Sequence, residues 1–65
     1  MIVSTMLPTD PEWVRAEGRE YGTFEEAAVK EAVMAGAYAG DTIRVRDETT
    51  GDERQFKLVL AAEPL

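Results

Sequence analysis

The feature that most constrains this chain is that its 65 residues include neither Cys nor His. A chain this short buries only about 60% of the surface that its unfolded form exposes, so its margin of stability is small. Many natural domains of this size add disulfides or a structural metal, and those devices usually need Cys or His side chains. This fold must instead be held by an apolar core, by strong local signals, or by a partner chain.

The composition supports a single compact domain. Hydrophobic residues make up 45% of the chain, which argues against intrinsic disorder. We see no repeat, low-complexity tract or linker, so residues 1–65 are interpreted as one domain. No apolar run approaches the roughly 20 residues of a membrane helix, and the first residues lack the basic start of a secretory signal. We therefore expect a cytoplasmic protein that does not bind membranes.

Two short segments near the start have strand character. Residues 1–7 form a β-prone run that ends at Pro8, and residues 13–17 follow the turn around Pro11. The sequence leaves open whether the first run pairs within the sheet.

The strongest local signal is the segment 23–26. Thr23 fits a helix N-cap, and Glu26 three residues later completes a capping box. The Ala-rich run that follows predicts a helix from Glu25 to about Ala39, ended by Gly40. At about 100° per residue, the predicted buried face consists of Ala28, Val29, Ala32, Val33, Ala35, Gly36 and Ala39. The predicted exposed face carries Glu26, Lys30 and Glu31.

The remaining residues predict a β-hairpin. Residues 42–47 alternate apolar and charged side chains, a turn containing Gly51 follows, and residues 53–61 form the last strand. Residues 63–65 are predicted to be a tail. The side chains predicted to face inward from this hairpin are Ile43, Val45, Phe56, Leu58 and Leu60.

These elements predict an α+β fold. A small antiparallel sheet of three to four strands, in the order β-β-α-β-β along the chain, has one helix packed on one face. The other sheet face is predicted to be exposed or a contact surface, and it carries Arg15, Arg44, Arg46 and Lys57.

Catalysis is not expected from this set of residues. Ser4 is the only serine, it lies in an apolar run, and there is no His to activate it. The glycines in 36–42 follow a helix and lack the Lys of a phosphate-binding loop. Residues 47–53 lack the ligand spacing of a calcium loop. We predict no enzyme activity, no cofactor and no metal site.

The acidic residues are the main functional signal. Thirteen acids against seven bases give a formal net charge of −6, which disfavours direct binding to nucleic acid and favours a basic partner surface. The hairpin tip carries Asp47, Glu48, Asp52 and Glu53, and the approach to the helix carries Glu17, Glu20, Glu25 and Glu26. We predict that these eight residues bind the partner.

Ordinary structural roles explain part of this acidic pattern. A helix dipole favours acids at a helix start, and Asp is a common turn former. Four acids at one hairpin tip are more than turn chemistry needs. Four aromatic side chains could anchor a partner beside the acids: Tyr21, Tyr38, Trp13 and Phe24. For Trp13 and Phe24, packing in the core is the favoured role.

In size, charge and composition, the whole chain resembles the small acidic phage-encoded inhibitors, including anti-CRISPR proteins that act as DNA mimics. No motif carries the resemblance, so it assigns no residue roles. It implies a nucleic-acid-binding partner such as a CRISPR effector subunit, a block of target-DNA or PAM recognition, and the host cytoplasm as location. The alternative is a structural or assembly module that self-associates or docks through an edge strand. We expect a monomer or a weak homodimer.

Overall fold

The computed structural model describes residues 1–59 and 62–65. Its elements are β1 (Val3–Met6), β2 (Val14–Arg15), α1 (Phe24–Ala35), β3 (Thr42–Asp47), β4 (Glu53–Leu58) and β5 (Ala62–Pro64). Neighbouring strands are antiparallel in the spatial order β2-β1-β3-β4-β5, and α1 packs on one face of the sheet. The predicted α+β class and β-β-α-β-β order are confirmed, and β5 adds a short further strand.

The first β-prone run does pair within the sheet. β1 lies between β2 and β3, with Ser4 opposite Arg15 on one side and Arg46 on the other. The prediction of a strand over residues 13–17 is wrong in length. The chain turns away after β2, where the Glu17 N–H donates to the Arg15 carbonyl at 3.1 Å.

The core lies between α1 and the inner face of the sheet. Val3, Ile43 and Val45 are its largest fully buried side chains, and Phe56 and Leu58 join them as predicted. The fully buried apolar residues of the helix are all small, namely Ala27, Ala28 and Ala32, and Phe24 and Val29 pack against the core while partly exposed. Small side chains let the helix axis approach the sheet closely, which suits a chain with so few residues to bury.

The end of the chain differs from its prediction. β4 stops at Leu58, and the predicted continuation through Leu60 and Ala61 lies outside the described residues. Residues 63–65 are not a tail, because β5 pairs with β4 and the Leu65 N–H donates to the Gln55 carbonyl at 3.0 Å. The edge position explains how a strand accepts Pro64, which has no N–H to donate.

The helix begins where the capping signal predicts but ends early. The extended Thr23 accepts a hydrogen bond from the Glu26 N–H at 3.1 Å. Gly36, not Gly40, follows the last turn, with a φ of 70°. The N–H groups of Gly36 and the next residue close a Schellman motif on the last turn. The predicted extension to Ala39 is therefore wrong.

The buried face of α1 is rotated relative to its prediction. Val33, predicted to be buried, is 74% exposed, whereas Glu31, predicted to be exposed, is only 8% exposed. At about 100° per residue the alanines of α1 lie on one side of the helix with Glu31 among them, whereas Val29 and Val33 lie beyond one margin of that side, so hydrophobicity alone predicts a face rotated towards the valines. The contacts of Glu31 described below select the observed rotation.

Gly36→Ala is expected to lower the free energy of unfolding by about 1 kcal/mol, because a Cβ disfavours the left-handed region. A Cβ at Gly36 would meet no atom within 4 Å, so the cost is conformational and not steric. Chemical denaturation measures it. Gly22→Ala is the control, since Gly22 does not have a positive φ and its Cβ would make only ordinary contacts. An equal loss of stability in both variants would show that the positive φ of Gly36 is not the cause.

Candidate functional site: the acidic end of the sheet

The eight predicted acids lie at one end of the molecule. The strand register places Val3, which begins β1, opposite Asp47, which ends β3. The start of α1 is brought to the same end, because the Tyr21 N–H donates to the Met1 carbonyl at 3.0 Å. The two acidic clusters of the sequence thus share one surface. We call it the acidic end; it consists of Glu17, Glu20, Glu25, Glu26, Asp47, Glu48, Asp52 and Glu53.

Four of these carboxylates lie close to a cation. The pairs are Glu17 with Arg15 at 3.4 Å, Glu26 with Lys30 at 3.6 Å, Glu48 with Arg46 at 3.6 Å and Glu53 with Arg44 at 2.9 Å. Within residues 1–59 and 62–65, the other four have no cationic side chain within 4 Å: Glu20, Glu25, Asp47 and Asp52. The negative potential is therefore concentrated on half of the predicted set.

Asp47 has a structural role in the hairpin turn. Its Oδ1 accepts hydrogen bonds from the Thr49 N–H at 2.8 Å and the Thr50 N–H at 3.3 Å. This arrangement is the local turn chemistry that favours Asp at such positions. Glu20, Glu25 and Asp52 are consequently the acids with the most freedom to meet a partner.

Glu48 is held by the sheet itself. It accepts a hydrogen bond from the Ser4 hydroxyl, and its backbone N–H donates to the Ile2 carbonyl at 2.9 Å. The Ser4 hydrogen bond, and to a smaller extent the charge of Arg46, lower the pKa of Glu48 against an opposing effect of desolvation. Glu48 therefore remains ionised at neutral pH but is engaged within the protein.

Ser4→Ala is expected to raise the pKa of Glu48 towards its ordinary value, because the strongest hydrogen bond to the ionised form is lost. Carboxyl ¹³C NMR titration measures the shift. The control is Thr50→Ala, which removes a hydroxyl that accepts from the Asp52 N–H. A Glu48 pKa that does not change in Ser4→Ala would show that the hydroxyl is not the cause.

The outer face of the sheet is covered by a cluster around Trp13. The guanidinium carbons of Arg44 and Arg46 lie 4.9 and 4.3 Å from the centre of the Trp13 ring, within cation–π range. The prediction that Trp13 packs in the core is therefore wrong. The same arginines pair with Glu53 and Glu48, so they reduce the negative charge of the acidic end.

The predicted aromatic anchors do not gather at the acidic end. Tyr21 is only 6% exposed and cannot serve as one, whereas Tyr38 is 80% exposed but lies beyond the far end of α1. Phe24 packs partly against the core, and the guanidinium carbon of Arg54 lies 4.9 Å from its ring centre. Phe24 is thus the predicted anchor that stands at the start of α1, beside Glu25.

Sequence reasoning missed an ionic cluster beside the helix, in which Glu31 and Tyr21 are buried and Arg19 is partly exposed. Glu31 accepts hydrogen bonds from Arg19 Nε at 2.7 Å, from Arg19 Nη2 at 3.0 Å and from the Tyr21 hydroxyl. Burial raises the pKa of Glu31, but these hydrogen bonds outweigh it, and the net pKa lies below the ordinary value. Burial and donation to Glu31 raise the pKa of Tyr21. The cluster joins the loop before α1 to the middle of the helix.

Comparisons with protein-family models, curated proteins and solved structures found no match to this chain. In the part of the chain that the structure describes, no three acidic side chains are grouped so that they would hold a metal ion. Over the same residues, no helix has the length and apolar character needed to cross a membrane.

Proposed function

We propose that this is a non-catalytic binding protein that occupies the basic surface of a nucleic-acid-binding partner and blocks it. The observation that supports this proposal is the collection of eight carboxylates at one end of the sheet, on strand ends, in the turns beside them and on the first turn of α1. Carboxylates collected on one surface attract a cationic groove and compete there with phosphates.

The partner contacts are expected to centre on three residues. Glu20, Glu25 and Asp52 are exposed and, among the described side chains, have no cationic neighbour within 4 Å. Exposed acids of this kind steer association and make it sensitive to salt. The four paired acids contribute less, because their own cations would have to be displaced or accommodated by the partner.

The resemblance described above suggests the partner class. A CRISPR effector subunit reads DNA in a positively charged channel, and arginines commonly recognise PAM bases. A small acidic domain seated in that channel would prevent recognition of the target DNA or the PAM. The site of action would be the host cytoplasm.

Removing the three central charges tests this proposal. The variant with Glu20→Gln, Glu25→Gln and Asp52→Asn is expected to bind the partner at least about tenfold more weakly, with a shallower dependence on salt. Partners are captured from a host lysate at low salt and identified. The wild type is then tested for displacing nucleic acid from the purified partner.

A single pair of variants supplies a matched control. Glu12→Gln changes an exposed residue in the turn between β1 and β2, at the other end of the sheet, whereas Glu25→Gln changes the same group at the acidic end. Only Glu25→Gln is expected to weaken displacement. Equal displacement by the wild type and the triple variant would refute the proposal.

Docking through an edge strand has less structural support. One edge strand, β2, has two residues, and the other, β5, contains Pro64. Short edges and proline are common protections against strand addition. This alternative stays a prediction, to be checked by testing whether a partner protects the amides of β2 or β5 from hydrogen exchange.

A further inference from the structure

A depression with both polar and apolar walls lies between α1 and the first two strands. Its volume is about 220 Å³, and its apolar wall is formed by Leu7 after β1, Val14 in β2 and Met34 in α1. Ligand pockets for drug-sized molecules usually have volumes of roughly 300 Å³ or more. This depression therefore has room for a single side chain or a small fragment.

One buried polar group in the depression lacks a hydrogen-bond partner. The Thr5 side chain lines the depression and is only 6% exposed. In residues 1–59 and 62–65, its hydroxyl makes no hydrogen bond. No fully enclosed polar side-chain atom of those residues is unpaired, so this hydroxyl is open to the depression. Buried polar groups almost always have a partner, and Thr5 is thus a group that a ligand can satisfy.

A carboxylate in the same depression also has an oxygen available. Asp10 is partly buried, and its Oδ2 accepts a hydrogen bond from the Leu7 N–H at 2.9 Å. Among the described residues, its Oδ1 accepts no hydrogen bond, and no cationic group lies within 4 Å of the carboxylate. The available groups of Thr5 and Asp10 can both accept hydrogen bonds, so the ligand should be a donor.

The other charged side chains in the lining are paired with each other. Arg19 donates from Nε and Nη2 to the Glu31 carboxylate, at 2.7 and 3.0 Å. An anionic ligand would have to compete with Glu31 for this guanidinium, because both groups of donors are already engaged. A cationic ligand would meet Asp10 and leave the pair intact. Two carboxylates against one guanidinium also favour a cation by charge.

We propose that this depression binds a lysine side chain presented by another protein. The methylene groups of the lysine would lie against the apolar wall, and its ammonium would donate to Asp10 Oδ1 and to the Thr5 hydroxyl. An ammonium is a compact donor, whereas a guanidinium binds best to a carboxylate with both oxygens available. A free diamine is less suitable, because its second ammonium would share the depression with Arg19.

The site is separate from the acidic end, so the inference goes beyond the proposed function. Asp10 lies in the turn between β1 and β2, which is at the other end of the sheet from the acidic end. The triple variant of the acidic end should therefore bind lysine within about twofold of the wild type, since charges at that distance are largely screened. The two proposals can fail separately.

An NMR titration with Nα-acetyl-lysine N-methylamide tests the site. We expect a dissociation constant on the order of 1 to 10 mM, because one side chain supplies few contacts. The Met34 methyl group and the amides of Leu7 and Val14 should shift most. NOEs should connect the Met34 methyl group with the methylene groups of the probe. Acetylation of the probe's ammonium should weaken binding at least about tenfold, because the charged donor is lost.

Two variants and a matched control locate the ammonium. Asp10→Asn is expected to raise the dissociation constant at least about tenfold, and the new side chain can still accept from the Leu7 N–H. Thr5→Val keeps the shape but removes the hydroxyl, and it should raise the constant about threefold. Glu12→Gln changes an exposed acid of the same turn that does not line the depression, and it should have little effect. Circular dichroism checks the fold of each variant.

Four outcomes would overturn the lysine site. The first is an absence of shifts around Met34 with the probe at about 50 mM, well above the expected dissociation constant. The second is equal binding of the acetylated probe, and the third is an equal effect of Asp10→Asn and Glu12→Gln. The fourth is tighter binding of 1,4-diaminobutane than of the lysine probe, which would assign the depression to a free amine.

Discussion

Glu31→Ala is expected to lower the free energy of unfolding by about 2 kcal/mol, which is typical of leaving a buried hydroxyl without its charged hydrogen-bond acceptor. The Tyr21 hydroxyl, in a side chain that is 6% exposed, would lose its acceptor, and the guanidinium of Arg19 would lose its carboxylate. Urea denaturation followed by circular dichroism measures the change.

An exposed ion pair on the same helix is the matched control. Glu26→Ala removes a carboxylate that lies 3.6 Å from Lys30 in an i, i+4 pair at the surface, where the side chains of Lys30 and Glu26 are 63% and 43% exposed. Such pairs contribute about 0.5 kcal/mol or less. A similar loss of stability in the two variants would show that the hydrogen bonds of Glu31 to Arg19 and Tyr21 contribute no more than an ion pair at the surface.

The acid limb of the stability curve gives an independent check. The pKa of Glu31 in the folded protein lies below its ordinary value. Its contribution is therefore complete above the unfolded carboxyl pKa of about 4.3 and is lost as the pH falls through the folded pKa. As the pH falls from the unfolded to the folded carboxyl pKa of Glu31, the wild type should lose stability, and the Glu31→Gln variant should lose less.

Ile43→Ala is expected to cost about 3 to 4 kcal/mol, which is typical of removing a large buried aliphatic side chain. Ile43 is fully buried in β3, the middle strand of the sheet, opposite Phe56. A domain of this length has a total stability of roughly 3 to 10 kcal/mol. The variant should thus be largely unfolded, or should melt well below the wild type in calorimetry.

Val33→Ala is the control for the core substitution. It also removes methyl groups from a β-branched residue, but at a position that is 74% exposed. Its effect should stay within about 0.5 kcal/mol. A comparable loss at both positions would mean that the core is not centred on β3.

Elements with strong local signals were predicted well. The β3–β4 hairpin is encoded by alternation at Ile43 and Val45 and by a turn with Gly51, whose φ is 80°. The helix start is encoded by Thr23 and the residue three positions later. In both cases the residues that determine the element are close together in the chain, so the element could be predicted without knowledge of tertiary contacts.

The residue at which α1 ends could not be predicted from local sequence alone, because it depends on the length of the sheet. Gly36 and Gly40 are both plausible stops by local rules, and both have a positive φ. A helix of 12 residues is about 18 Å long, close to the roughly 20 Å of a six-residue strand. A helix that continued to Ala39 would extend beyond the ends of the strands that it covers.

The burial of Glu31 and the outer position of Trp13 have no local signature. Glu31 is selected by Arg19 and Tyr21, which stand 12 and 10 residues earlier in a loop. Trp13 is covered by arginines from β3, about 30 positions away. Each position depends on contacts between segments that are distant in the chain, so local patterns do not specify it.

The acidic residues were identified from the sequence, but their arrangement was not. Their assembly at one end follows from the antiparallel register of β1 with β3 and from the hydrogen bonds between Met1 and Tyr21. The pairing of Glu53 with Arg44 follows from the register of the predicted β3–β4 hairpin, and Glu48 and Arg46 are close neighbours in the chain. The assembly of the two acidic clusters at one end, in contrast, depends on the pairing of β1, which the sequence left open.

The placement of the chain termini bears on how this domain can be handled. The backbone of Met1 is hydrogen-bonded to Tyr21, and the backbone of Leu65 is hydrogen-bonded to Gln55 near the start of β4. Both termini therefore lie beside the acidic end. A fusion tag, surface tether or flanking polypeptide at either terminus would crowd the carboxylates. A fluorophore or immobilisation handle in the turn around Thr9 would leave them accessible.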